Sequence, residues 1–155
     1  MILSSHVAVG TAVAVYSQNP ITGFLVGFAF HHLIDMIPHT DAGSQGASIY
    51  NFLDKKGALK QVSVDIVLVM IILVVAVYMM GLSLLLFCCV IGSILPDIID
   101  NSPFWSPRLR KIFPFNYYHQ FHEFFHFTIT NKKYYWLGYL TQFVIIAISL
   151  YIVVK

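Results

Sequence analysis

The sequence predicts an all-α integral membrane helical bundle of about five spanning helices plus one interfacial helix, and three observations point there. Hydrophobic residues make up 58% of the chain and charged residues only 10%. A soluble domain carries about 25% charged residues, so there is too little charge here to coat a globule of 155 residues. Five apolar stretches recur, each bounded by turn signals. The ionisable residues gather near one end of those stretches instead of being scattered along them.

The first stretch runs from Ile2 to Ser17 and stops at Asn19-Pro20, a turn dipeptide. It lacks a basic leading segment and a small-residue cleavage site, so a retained helix is expected rather than a removed signal peptide. The second runs from Ile21 to Ile37 and stops near Pro38, the third from Leu59 to Met80, the fourth from Leu82 to Ile99, and the last from Tyr134 to Val154. A full span needs about 20 apolar residues. The third and last reach that length; the others fall a little short, which puts their polar ends at or just under the lipid surface. Of the two long polar connections, His39 to Ala58 and Asn101 to Lys133, the second is expected to hold an interfacial helix from about Lys111 to Ile129, rich in aromatic residues and histidine.

Simple alternation puts the start of the first helix, the end of the second, the start of the third and the end of the fourth on one face. Lys55, Lys56, Lys60, Arg108, Arg110, Lys111, Lys132 and Lys133 then share that face, and Lys155 lies opposite. Basic loops favour the cytoplasm. A multi-pass protein of the cell membrane is expected, with the N-terminus inside and the C-terminus outside. The net charge of +2 is too small to argue for nucleic acid, and none is expected as a partner. Cys88 and Cys89 are adjacent in an apolar run, so no disulfide framework exists.

An internal repeat organises the chain as a single membrane domain over residues 1–155. Val26 to Asp35 aligns without gaps on Ile91 to Asp100, at an offset of 65 residues. Each copy has a glycine, a ligand-type residue five later, Asp three after that and Pro three beyond. The halves are about 1–58 and 59–110, followed by the interfacial helix and the last span over 111–155. Two helix ends with similar stop signals would look the same. A duplicated helical hairpin would bring His32 and Asp35 to face Asp97 and Asp100 as equivalent pairs, since residues three apart share a helix face.

All seven histidines and six of the seven acids fall into one polar set: His6, His31, His32, Asp35, His39, Asp41, Asp65, Asp97, Asp100, His119, His122, Glu123 and His126. Any one of these histidines could be a hydrogen-bonded structural group. Ionisable groups at membrane depth are costly, though, and normally face a polar cavity and a partner. Imidazole with carboxylate suits zinc, manganese or iron. So many donors fit two divalent ions better than one, as in two-metal phosphoester sites. The metal-ligand candidates are His6, His32, Asp35, His39, Asp65, Asp97, Asp100, His119, His122 and His126, with His31 an alternative to His32. Asp97 and Glu123 are the catalytic candidates. His122-Glu123-Phe124-Phe125-His126 also reads H-E-x-x-H, the zinc-protease pattern.

The segment Gly27 to Asp41, GFAFHHLIDMIPHTD, together with GSILPDIID at Gly92 to Asp100, an early His6 and the late His119 to His126 group, resembles a family of small bacterial integral-membrane proteins described as metal-dependent hydrolases. More distantly, His31-x-x-x-Asp35 with Pro38-His39 is similar to the ligand helix of zinc-dependent phospholipases C and single-strand nucleases, where the following Pro and His come two residues later. The resemblance implies hydrolase chemistry. The expected function is therefore a membrane-embedded metal-dependent phosphoesterase at the cytoplasmic face, acting on a phosphoester such as a phospholipid headgroup, with membrane lipid as partner. A membrane zinc protease and a non-enzymatic transporter or scaffold are the alternatives.

Overall fold

The computed structural model describes residues 1–155, with the side chain of Phe52 left aside. Seven α-helices and no strand are found among the described residues: α1 (Leu3–Tyr16), α2 (Pro20–Asp35), α3 (Lys56–Met80), α4 (Leu84–Asp100), α5 (Ser106–Leu109), α6 (Phe115–Phe125) and α7 (Tyr135–Val154). Local chemistry sets several boundaries. Asn19 caps α2, its side chain accepting from the Thr22 amide at 3.0 Å, with Pro20 in the first turn. Ser83 accepts from the Leu86 amide at 3.2 Å and opens α4. Gly81, with φ of 76°, follows the last residue of α3, a conformation that side chains with a Cβ rarely take. The helix expected from Lys111 to Ile129 is shorter than that. Pro114 begins it, and after Phe125 the chain turns extended at His126.

α1 is the central helix, packed against α2, α3, α4 and α7. Its sequence suits that place, because the buried run Ser4 to Ala12 is made of small and β-branched residues around one histidine, and small residues let helices approach closely. The closest pair is α2 with α4. A Cβ on Gly27 would lie 2.5 Å from the Cys89 carbonyl oxygen, and one on Gly92 would collide with the Phe24 carbonyl. At the repeat offset of 65, Phe24 corresponds to Cys89 and Gly27 to Gly92. Each glycine thus meets the counterpart of the other's contact, the reciprocity of a two-fold interface. The two repeat copies pack on each other through it.

The distribution of polarity is inverted relative to a soluble protein. His6, His31, His39, His122, Asp35 and Gln142 are among the largest fully buried side chains, while Val67, Met70, Val74, Phe87, Phe143 and Tyr151 are exposed. α3, and α7 with its preceding turn, are long and apolar enough to cross a membrane. α1, α2 and α4, at 14, 16 and 17 residues, are shorter than a full span.

Candidate metal centre

The start of α1, the ends of α2 and α4, and α6 meet at one end of the bundle, and four imidazoles are oriented there by the same device. His31 Nδ1 lies 2.8 Å from the Ser93 carbonyl of α4. His39 Nδ1 is 2.9 Å from the Ile37 carbonyl. His122 Nδ1 is 3.0 Å from Asp100 Oδ2. His126 Nδ1 is 3.2 Å from Thr128 Oγ1, whose own hydroxyl donates to Asp41 Oδ2. Each acceptor obliges Nδ1 to carry the proton. Nε2 is left with its lone pair, as in histidines that ligate metals.

Those lone pairs converge. Nε2 of His31 faces Nε2 of His122 at 3.1 Å, and Nε2 of His39 faces Nε2 of His126 at 3.3 Å. Two acceptors at such a distance need a proton or a cation between them. Carboxylates complete both groups. His31, Asp35, Asp97 and His122 offer ligand atoms all within 4.8 Å of one another, and so do Asp35, His39 and His126. Asp35 belongs to both. Its Oδ2 is 3.2 Å from His31 and 3.5 Å from His122, and its Oδ1 is 3.3 Å from His6. Asp97 divides in the same way, Oδ1 toward His31 and His122 and Oδ2 toward His6 at 3.5 Å. The His6 ring stacks on that of His31 at 4.0 Å. The Met1 amine donates to Asp35 Oδ1 at 2.7 Å.

The electrostatics fit a cation-binding set. Burial alone would lower His122, but Asp100, Asp35 and Asp97 outweigh it and raise its pKa to about 9. A cation therefore competes with a proton at that ring. Burial and the Met1 amine push His126 down to about 3, which keeps it a neutral donor. Burial would raise the Asp41 carboxyl, but the close approach of His39, the Met1 amine and His126 overrides it and holds the group below the usual carboxylate range. These buried His and Asp groups could hold a metal ion.

Several sequence expectations need correction. Asp65 is not in the cluster: its two oxygens accept from the Leu3 and Ser4 amides at 2.6 and 3.0 Å, so it caps the start of α1. Asp100 is not equivalent to Asp35. It lies behind His122, held by Arg110 Nε at 2.9 Å and His119 Nδ1 at 2.9 Å. It belongs to a separate group with His119 and the exposed Glu123. Of the adjacent pair, His31 meets the carboxylates. His32 sits among Phe28, Phe121 and Phe125, grouped with His31 and His122, and its ring nitrogens have no hydrogen-bond partner among the described residues. The two histidines of H-E-x-x-H fall in different donor groups.

Other positioning residues carried no sequence signal of their own. Gln142 of α7 accepts from the Ile2 amide at 2.9 Å and donates to the Thr40 carbonyl at 2.8 Å. The segment after α6 pairs with the segment after α2: the Phe127 amide donates to Asp35 O, His39 N to Phe127 O, and Ile129 N to His39 O. The β-branched run Thr128-Ile129-Thr130 is the hint of that extended pairing.

Fold and cluster together define an all-helical chain with a buried histidine–aspartate centre suited to a metal ion. Comparison with protein-family models, with curated proteins and with solved structures gave no match.

Proposed function

We propose that the chain is a membrane-embedded, metal-dependent hydrolase of phosphoesters, with its centre at the cytoplasmic face. The observation that carries this reading is the pair of donor groups meeting at Asp35, with four histidines fixed so that Nε2 points inward. His31, His122, Asp35 and Asp97 hold one divalent ion, zinc in the first instance, and Asp35, His39 and His126 a second, with Asp41 and His6 beside them. Divalent ions in such a set lower the pKa of bound water and neutralise phosphoryl oxygens. In the reaction a water oxygen bonds to phosphorus, the ester P–O bond breaks, and the water proton passes to the departing alcohol. The chain's own residues hold the donors rigid: Asp100 orients His122, and Gln142 braces the His39–Asp41 segment.

In this reading the chain has five spans, with α1, α2 and α4 crossing a locally thin or polar-ended region beside the two long apolar helices, and an outside C-terminus accords with the eight-to-one split of basic residues that this topology gives. The far halves of the helices carry almost no ionisable side chain, which argues against a transport path running through the full depth. Metal analysis of the purified protein, with hydrolysis of bis(p-nitrophenyl) phosphate before and after chelation, tests the reading. Bound zinc or manganese and chelator-sensitive hydrolysis are expected. A protein that binds no divalent metal and hydrolyses nothing is a scaffold.

A further inference from the structure

One face of α1 is not covered by another helix. Val9, Val13 and Tyr16, spaced at helical intervals, look into a groove of about 720 Å³ whose other walls are α2, through Val26 and Phe30, and α7, through Ile148. No acidic, basic or histidine side chain lines it. Its inner end closes on Val9 and Ile34, which pack together with Met1. Those two residues adjoin the metal centre: Ile34 precedes Asp35, and Val9 lies about one turn beyond His6. Its outer end is ringed by the polar Ser17, Asn19 and Thr22.

The length of the groove is informative. From Ile34 to Thr22 along α2, at 1.5 Å per residue, it runs about 18 Å. One leaflet of a hydrocarbon core is about 15 Å deep. A polar headgroup at the cluster would thus let a single fatty chain run through the near leaflet along the apolar part of the groove, short of the polar ring at its far end. An acyl chain needs only apolar walls and no hydrogen bonds.

We propose that the groove between α1, α2 and α7 seats one acyl chain of a membrane phospholipid whose phosphoester lies at the His/Asp cluster. The acyl seat stands on the groove alone; the identity of the lipid as substrate rests on the hydrolase reading above. Binding to the seat restricts the substrate class to lipid-borne phosphoesters, because the chain fixes how far the phosphorus can sit from Asp35.

The test uses the full-length protein in detergent with substoichiometric phosphatidylglycerol carrying a diazirine midway along one acyl chain. Photolabelling is expected to concentrate on Val13, Val26, Phe30 and Ile148, and to be lost in the double variant Val26→Trp, Ile148→Trp. Both positions are partly exposed, so the larger rings can be accommodated. Labelling spread equally over the outer face of α3, at Val67 and Met70, overturns the seat, and that measurement needs no variant. In a hydrolysis assay the double variant should raise KM for dioleoyl phosphatidylglycerol by roughly tenfold and leave turnover of bis(p-nitrophenyl) phosphate unchanged. An equal loss on both substrates overturns the seat. Groove-specific labelling in a protein that hydrolyses neither substrate keeps the seat and rejects the hydrolase. Hydrolysis of the soluble diester with evenly spread labelling does the reverse.

Discussion

Asp35 and Asp97 share three imidazole partners, His6, His31 and His122, and each gives one oxygen to His6 and the other to the remaining pair. They differ in their other neighbours, and one difference bears on metal binding. Asp35 also reaches the His39–His126 group, and Asp97 does not. Asp35→Asn should therefore strip metal from both groups, whereas Asp97→Asn should leave about half of the wild-type content. Carboxylate charge supplies much of the affinity for a divalent ion. Inductively coupled plasma analysis of the two purified variants checks this. Equal residual metal in both would mean a single ion.

Asp100→Asn should keep bound metal but weaken it by roughly 10–100-fold, the usual cost of losing the partner that orients a ligating histidine. Competition against a chelator of known affinity measures the difference. Complete loss of metal would place Asp100 among the ligands after all.

Asp65→Ala should leave metal content unchanged and lower stability by about 1–3 kcal/mol, because a buried and a partly buried amide at the start of α1 lose their acceptor. Thermal unfolding in detergent reads this directly. A metal-depleted but equally stable variant would restore Asp65 to the ligand set.

Glu123→Gln separates the phosphoesterase from the zinc-protease reading. A protease needs that carboxylate to activate water. In this structure Glu123 is exposed and grouped with Asp100 and His119. Hydrolysis of bis(p-nitrophenyl) phosphate should fall less than in Asp35→Asn. Abolished turnover with full metal content in Glu123→Gln, alongside proteolysis of a peptide substrate by the wild type, would reverse the assignment.

Gly92→Ala should destabilise the bundle by about 1–3 kcal/mol or more, since the new Cβ meets backbone that cannot rotate away. Gly27→Ala should cost a similar amount, because the two contacts are related by the repeat. Insertion and thermal stability of the two variants, measured side by side, test the local two-fold relation. A large effect at one glycine alone would reduce the repeat to a similarity of stop signals.

Helix positions were legible because apolar runs between turn residues are the strongest signal a sequence carries. The ends of α2, α3 and α4 fall within a few residues of the expected ones. The candidate site was legible as a composition of residues but not as a geometry. The repeat offset suggested that Asp35 and Asp100 are counterparts, yet the arrival of α6 between the two helix ends breaks the symmetry: His122 inserts its ring so that Asp100 meets Nδ1 while Asp35 meets Nε2. Whether His31 or His32 points inward depended on helix rotation, which nearly uniform hydrophobicity around α2 does not specify. Asp65 looked like a ligand because it is an acid inside an apolar stretch, and the unpaired amides that require it belong to another helix 61 residues away.

The donors come from distant parts of the chain, and that has a consequence for how the protein is made. His31 is synthesised early and His126 about 95 residues later. During translation the first four helices can pair through Gly27 and Gly92 before α6 exists, while His6, His31 and Asp35 wait without their later partners. An ion that then joins the end of α2 to the segment around α6 closes a loop of about 90 residues. The entropy removed from the unfolded chain by such a closure grows only slowly with length, but for a loop this long it is already large. Metal supply would then govern how long a newly inserted chain survives, quite apart from any reaction it goes on to catalyse.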